Sequence, residues 1–298
     1  MGAAMAVSFR RAGYQTRLWM RDAAKLSTVR DTLKSLDTWM TEHIGPSASS
    51  TGTLDTTVEL SDIDANATVI VDCIAERMDE KAELFSSLTA AKSREALFLT
   101  TTSGLSITEL GRRSGTERRI VGTHFWNPPH LMPLVEIIRG AATEDTAVQV
   151  TTSLVQSIGK IPVQVNRDVP GFIGNRLLHA LWREAIYLVQ QGIATAEDVD
   201  RVARLTFGLR MPAVGPLENM DLVGLDLVHT IHQYLLADLS DHRQPLELLD
   251  QHVRADECGM KSGRGFYNWQ TRSPGELLER RNQQIVQQLK FLKEINAL

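Results

Sequence analysis

Two residues in the stretch VGTHFWNPPHLMPLVEIIRG have the types and spacing to move a proton. His124 stands at the end of a buried-looking run, and Asn127-Pro128-Pro129 then turns the chain. Glu136 follows inside a second apolar run, among Leu134, Val135, Ile137 and Ile138. A carboxylate in such a strand is costly to bury without a partner. His124 is the obvious one, because a carboxylate on one imidazole nitrogen orients the ring and raises its basicity, which suits removal of a hydroxyl proton. A core histidine at a strand end beside an edge-strand glutamate fits the same residues, and the pattern alone leaves both arrangements open.

The chain opens MGAAMAVSFRRAGYQTRLWMRD, which reads as a helix, a glycine stop at Gly13 and a strand over Thr16–Met20. A strand–turn–helix with glycines at the turn is how a doubly wound sheet holds a dinucleotide, whose pyrophosphate rests on free amides at the helix start. Gly2 matches only the last glycine of that fingerprint, and any helix beginning on small residues has the same appearance.

The elements that must position these groups come in two textures. Strand runs at Thr16–Met20, Thr57–Leu60, Val69–Cys73, Leu97–Thr101, Ile120–Phe125, Leu134–Ile138 and Ile161–Val165 alternate with helical spacing over Glu76–Ala91 and Thr143–Ile158. That alternation predicts a parallel sheet with crossover helices. Asp22–Ile44 reads as one helix followed by the Ser/Gly-rich loop GPSASSTGT. After the Pro/Gly junction NRDVPGFIGNR the β-branched runs stop, and Asn175–Gln191, Thr195–Leu205, Asn219–Ala237 and Leu277–Leu298 read as helices. The expected division is an α/β domain over 1–167 and an all-α domain over 168–298.

Bulk properties set the outer limits. The 43% hydrophobic and 23% charged content is that of a globular protein, and a net charge of −4 gives no reason to expect nucleic acid or an anionic membrane as partner. No run approaches a membrane span. The two cysteines, Cys73 and Cys258, suggest neither a disulfide framework nor a metal cluster, so a reducing cytoplasm is the expected compartment. The helical stretches LLHALWREAIYLV and LVGLDLVHTIHQYLL carry more apolar surface than one such domain covers alone, which points to a homodimer.

GTHFWNPPHLMPLVE resembles the signature of the 3-hydroxyacyl-CoA dehydrogenase family. MGAAMAVSFRRAGY, VDCIAERMDEKAELF, TTTSGLSITEL, DVPGFIGNRLL, VGPLENMDLVGLD and KSGRGFY fit the same family in collinear order. The resemblance implies a Rossmann-type fold whose first strand and first two glycines would lie ahead of Met1, followed by an all-α domain. It implies hydride transfer between NAD and a 3-hydroxyacyl-CoA, as in fatty acid metabolism. His124 would be the general base, Glu136 its orienting partner, and Ser103 and Asn175 would face the substrate oxygen. Gly2, Met20, Arg21, Glu76, Lys81, Ser103, Asn127 and Lys261 would lie along the cofactor; no residue is expected to bind a metal.

Three departures from the family pattern bear on function. Met20-Arg21 stands where the family carries an acid for the ribose 2′-hydroxyl, so NADP stays open beside NAD. The helical hairpin that helps to hold coenzyme A is reduced here to one helix and a loop. Pro133 also replaces the usual lysine of the acyl-CoA enzymes, which leans towards relatives acting on free hydroxy acids, such as L-gulonate and carnitine dehydrogenases. DLVGLD, by contrast, resembles the acyl-CoA branch, so a 3-hydroxyacyl-CoA is the expected substrate and a free 3-hydroxy acid the alternative. Without its first strand the chain would leave an unfilled slot in the sheet, and a non-catalytic binding or structural relative is the expectation from another class.

Overall fold

The computed structural model describes residues 1–47, 49, 51–63, 67–91 and 96–295. They form two compact units, 1–176 together with 280–298, and 177–279. The expected division at 167/168 falls nine residues ahead of the first boundary. Backbone amides at Ile173 and Gly174 donate to Glu136, which ties the Pro/Gly junction to the α/β unit.

The first unit opens on helix α1, Gly2–Arg11, and strand β1, Gln15–Trp19. Helix α2, Leu26–His43, leads to strand β2, Thr53–Thr57, which pairs in parallel with β1. The expected strand at Thr57–Leu60 therefore lies four residues earlier, where its register against β1 matches Gln15 to Thr53. Of the Ser/Gly-rich loop, positions 48 and 50 lie outside the described residues.

A separate five-stranded sheet follows, in the order β3-β4-β5-β6-β7. Its strands are β3, Val69–Asp72; β4, Leu97–Thr100; β5, Ile120–Phe125; β6, Leu134–Arg139; and β7, Ile161–Val165. Helices α3, Met78–Ala91, α4, Ile107–Ser114, and α5, Asp145–Ser157, lie between them in sequence. Only β6 departs from the expected parallel arrangement, pairing antiparallel with β5. Strands β4 and β5, and β6 over Val135–Ile138, are buried on both faces, as their near-continuous apolar sequences require. Leu99, Val121, Val135 and Ile137 pack towards α5 on one face, and Phe98, Ile120 and Ile138 pack against Phe85 and Leu110 on the other.

Between the β1–β2 pair and the five-stranded sheet runs a slot of about 950 Å³ lined by both β1 and β3.

The second unit is helical. It takes up α6, Gly174–Gln190, beyond its first turn, then α7, Ala196–Leu205, α8, Phe207–Arg210, and α9, Pro216–Val223. Helices α10, Leu225–Leu235, and α11, Glu247–Arg254, complete it, with the start of α12, Pro274–Glu294. The single helix expected over Asn219–Ala237 is two, because Gly224 at φ +105° breaks the run. The last three residues of the expected final helix lie outside the described residues. Among the described residues, no helix is long and apolar enough to cross a membrane.

Candidate active site

The antiparallel turn from β5 to β6 sets His124 directly opposite Glu136 in the ladder. Their side chains meet, Nδ1 to Oε2 at 2.6 Å, and the residues are 4% and 2% exposed. The other carboxylate oxygen, Oε1, accepts from the amides of Ile173 at 2.8 Å and Gly174 at 3.0 Å. Burial alone would raise the Glu136 carboxyl, but hydrogen bonds from His124 and from these two amides outweigh it and hold the group below the usual carboxylate range. The carboxylate thus stays ionised and presents one oxygen to the imidazole.

The two amides are aimed by an unusual backbone. Phe172 is buried with φ +51°, a left-handed conformation uncommon for an aromatic residue, and its ring lies 5.7 Å from that of His124. Trp126 closes the other side of the histidine, with centroids 4.9 Å apart. Gly174 is needed for this packing, since a β-carbon there would lie 2.1 Å from Cζ2 of Trp126. None of Trp126, Phe172 or Gly174 stood out as a site residue in the sequence. The Pro170-Gly171 pair was the available sign of a constrained turn.

A second network holds the loop after β4. Glu76 Oε1 accepts from the Thr102 hydroxyl at 2.5 Å and the Ser103 amide at 2.7 Å. The Ser103 carbonyl accepts from Asn175 Nδ2 at 2.8 Å, so Ser103, Glu76 and Asn175 are joined as one chain of hydrogen bonds. Lys81 reaches this network from below. It is 1% exposed, bound to Asp72 at 2.5 Å and 3.7 Å from the other Glu76 oxygen. A buried lysine needs such partners, and Asp72, unremarked in the sequence, supplies the nearer one. Its signal was an acid closing a β-branched run nine positions before a lysine.

Among the described residues, none of the remaining expected ones hydrogen-bonds into these networks. Gly2 begins α1 beside Cys73, at the carboxyl end of β3, and Leu18 of β1. Met20 follows β1, its amide bound to Thr57, and exposed Arg21 lies 3.7 Å from Glu80. Asp22, the acid nearest the expected ribose position, caps the turn at Ala24 instead. Asn127 is exposed in the β5–β6 turn, and Lys261 is an exposed residue of the second unit.

Comparison with known proteins now bears on this arrangement. Residues 1–169 match the 3-hydroxyacyl-CoA dehydrogenase NAD binding domain and 171–269 the carboxyl-terminal domain of the same family. The chain is 32% identical over 270 residues to 5-formyl-3-hydroxy-2-methylpyridine 4-carboxylate 5-dehydrogenase of Mesorhizobium japonicum, covering 90% of this chain and 87% of that one. It is 40% identical over 210 residues to a probable 3-hydroxybutyryl-CoA dehydrogenase of Bacillus subtilis, covering 70% and 71%. Among solved structures, a 5-formyl-3-hydroxy-2-methylpyridine 4-carboxylic acid 5-dehydrogenase, described as an NAD+-dependent dismutase, superposes with a TM-score of 0.93 at 30% identity over 98% of this chain and 95% of that one. The chain belongs to the 3-hydroxyacyl-CoA dehydrogenase family, whose amino-terminal domain binds NAD.

Proposed function

We propose that this NAD-linked oxidoreductase transfers hydride between the nicotinamide and a hydroxyl-bearing carbon of its substrate, with His124 as general base. The buried His124–Glu136 pair carries the reading. Nδ1 is engaged by Glu136, so Nε2 is the ring nitrogen left to take the hydroxyl proton, and the ionised carboxylate stabilises the imidazolium that results. In the reverse direction the same nitrogen returns the proton. Ser103 and Asn175, joined through the Ser103 carbonyl, would present hydroxyl and amide to the substrate oxygen.

When bound, NAD supplies the hydride acceptor. The residues present fit it: α1 starts on a glycine packed between the carboxyl ends of β1 and β3, where helix amides receive a pyrophosphate. Glu76, Ser103 and Asn127 would hold the nicotinamide side and Met20 and Arg21 the adenosine side. Lys81 would act through Glu76, because its own ammonium is buried.

For the substrate, a free carboxylic acid is the better supported class. The relative that spans 90% of this chain is named for a free pyridine carboxylate, and Pro133 replaces the lysine usual in acyl-CoA enzymes. A 3-hydroxyacyl-CoA, oxidised to the 3-oxo form, is the second reading, favoured by the 40% identity to a protein named for that substrate. The test is NAD reduction measured side by side with 5-formyl-3-hydroxy-2-methylpyridine 4-carboxylate, free 3-hydroxybutyrate and 3-hydroxybutyryl-CoA. A kcat/KM highest for the CoA ester would favour the second reading, and no turnover of any would return the chain to a non-catalytic role.

The second unit also bears on assembly. Leu209, Leu217 and Leu222 are 73%, 72% and 76% exposed, and we infer that these helices are covered by a second copy of the chain, giving a homodimer.

A further inference from the structure

Among the described residues of the first unit two lysines are buried, and only one of them has a counter-charge. Lys81 is met by Asp72 and Glu76. Lys160, 9% exposed between α5 and β7, donates from Nζ to the Met132 carbonyl at 2.7 Å and meets no carboxylate. A carbonyl takes one of the three ammonium hydrogens and supplies no full negative charge. A buried cation left in that state is costly, and burial pushes the Lys160 ammonium down to about 8.

More positive charge gathers at the same place. His130 is half-buried on the β5–β6 turn, and its Nδ1 is sealed from water with no hydrogen-bond partner among the described residues. Burial, then the charges of Lys160, Arg281 and the Met1 amine, push its imidazole down to about 4. Arg281 stands on the part of α12 that belongs to the first unit. Its Nε and Nη2 donate to the neutral amide oxygen of Asn282 at 3.2 and 2.9 Å. Trp39 of α2 lies edge-on against the His130 ring, with centroids 5.4 Å apart. The chain has 36 acidic residues against 32 lysines and arginines. Yet among the described residues no carboxylate pairs with Lys160, His130 or Arg281.

We propose that Lys160, His130 and Arg281 form a binding site for one small oxyanion, a carboxylate or a phosphate. Such a group carries the negative charge that Lys160 lacks. Its oxygens accept from the ammonium, from the planar guanidinium and from Nδ1 of a protonated His130. A neutral or cationic ligand would leave the buried ammonium as uncompensated as it is now. The anion comes either free from solution or as the carboxylate of the substrate.

The experiment is isothermal titration calorimetry on the full chain without cofactor, at pH 7 and constant ionic strength, with inorganic phosphate and with acetate. Lys160→Met and Arg281→Gln are titrated beside the parent. The parent should bind at least one of the two anions saturably. Each substitution should weaken that binding at least about tenfold, because a hydrogen bond to a charged group is worth that much or more. Arg281→Gln keeps a half-buried helix position polar, so it gives a reading even where Lys160→Met folds poorly. No binding by the parent, or binding that either folded variant keeps at full strength, would overturn the proposal. The bound anion, added to the NAD reduction assay, then identifies the source. Competition with an acid substrate assigns the site to the substrate's carboxylate, and undisturbed turnover assigns it to a free anion. Only this last arm rests on the reaction proposed above; the titration needs no turnover and stands if that reading fails.

Discussion

The two units treat apolar side chains in opposite ways. In the first, Phe85, Phe98, Leu99, Ile107 and Ile120 are sealed from water, and the buried polar side chains His124, Glu136, Lys81 and Asp72 are held in pairs. In the second, among the described residues of 177–279, only Ser240 and Leu246 are buried, while leucines on α6, α7, α8, α9 and α10 stand in water. An isolated helical unit with that surface lacks the burial that offsets chain entropy. The difference frames the two proposals: a buried His124–Glu136 pair in the first unit to move a proton, and a second copy of the chain to cover the exposed helices of the second.

The strongest test of the first half of this contrast is His124→Gln. If the imidazole moves the proton, kcat should fall about 10³–10⁴-fold with NAD affinity nearly unchanged, since general-base catalysis contributes on that scale. Stopped-flow rates with fluorescence titration of NADH separate the two effects. Retention of near-native kcat would remove His124 from the mechanism.

Stability measurements sharpen the contrast between the units. Phe98→Ala opens a cavity in a sealed core and should cost about 3–5 kcal/mol in denaturant unfolding. Leu222→Ala, on a residue 76% exposed in one chain, should cost less than about 0.5 kcal/mol if the chain is a monomer. In a dimer the same change should lower Tm in a concentration-dependent way. Leu217→Glu with Leu222→Glu should then shift sedimentation from dimer to monomer. A wild-type monomer at micromolar concentration would overturn the inferred second copy.

Glu136→Gln should be milder than loss of the histidine, about 10²-fold in kcat, because the ring keeps a hydrogen-bond partner but loses its counter-charge. It also carries a pH signature. The Glu136 carboxyl is held below its unfolded value, so it contributes stability that is present above the unfolded carboxylate pKa and is lost as pH falls through the folded one. Between about pH 5 and pH 3 the parent chain should therefore lose more stability than the glutamine variant. Parallel curves for the two would mean that Glu136 is not held ionised by this site.

How much of this was legible in the sequence depends on where the information sits. Strands β5, β6 and β7 could be read almost to the residue, because short β-branched runs bounded by turn residues look like little else. Strand β2 was displaced, since TLDTT carries weak strand character and its place is set by register against β1. The paired His124 and Glu136 could be anticipated from the cost of burying an acid. The amides of Ile173 and Gly174 could not, because every residue but proline has one, and only the left-handed turn at Phe172 aims them. The shortfall in buried surface that suggested a dimer was visible in composition, and the structure locates it on particular helices.

The smallest expected effect tests whether those amides and the indole beside them matter. In Gly174→Ala the added methyl would lie 2.1 Å from Trp126 Cζ2, far inside van der Waals contact. Either the indole or the first turn of α6 must move by about 1 Å. If the turn moves, the Gly174 amide is drawn from Glu136 Oε1, now at 3.0 Å. If the indole moves, it disturbs a ring whose centroid lies 4.9 Å from that of His124. In both cases the histidine is slightly misaligned rather than removed, and small misplacements of reacting groups cost about 10-fold or more in rate. We therefore expect kcat to fall about 10-fold, with NAD affinity unchanged and unfolding free energy lower by about 1–3 kcal/mol. A variant that lost stability but kept full kcat would show that the left-handed turn serves the fold alone, and that Glu136 holds His124 without help from α6.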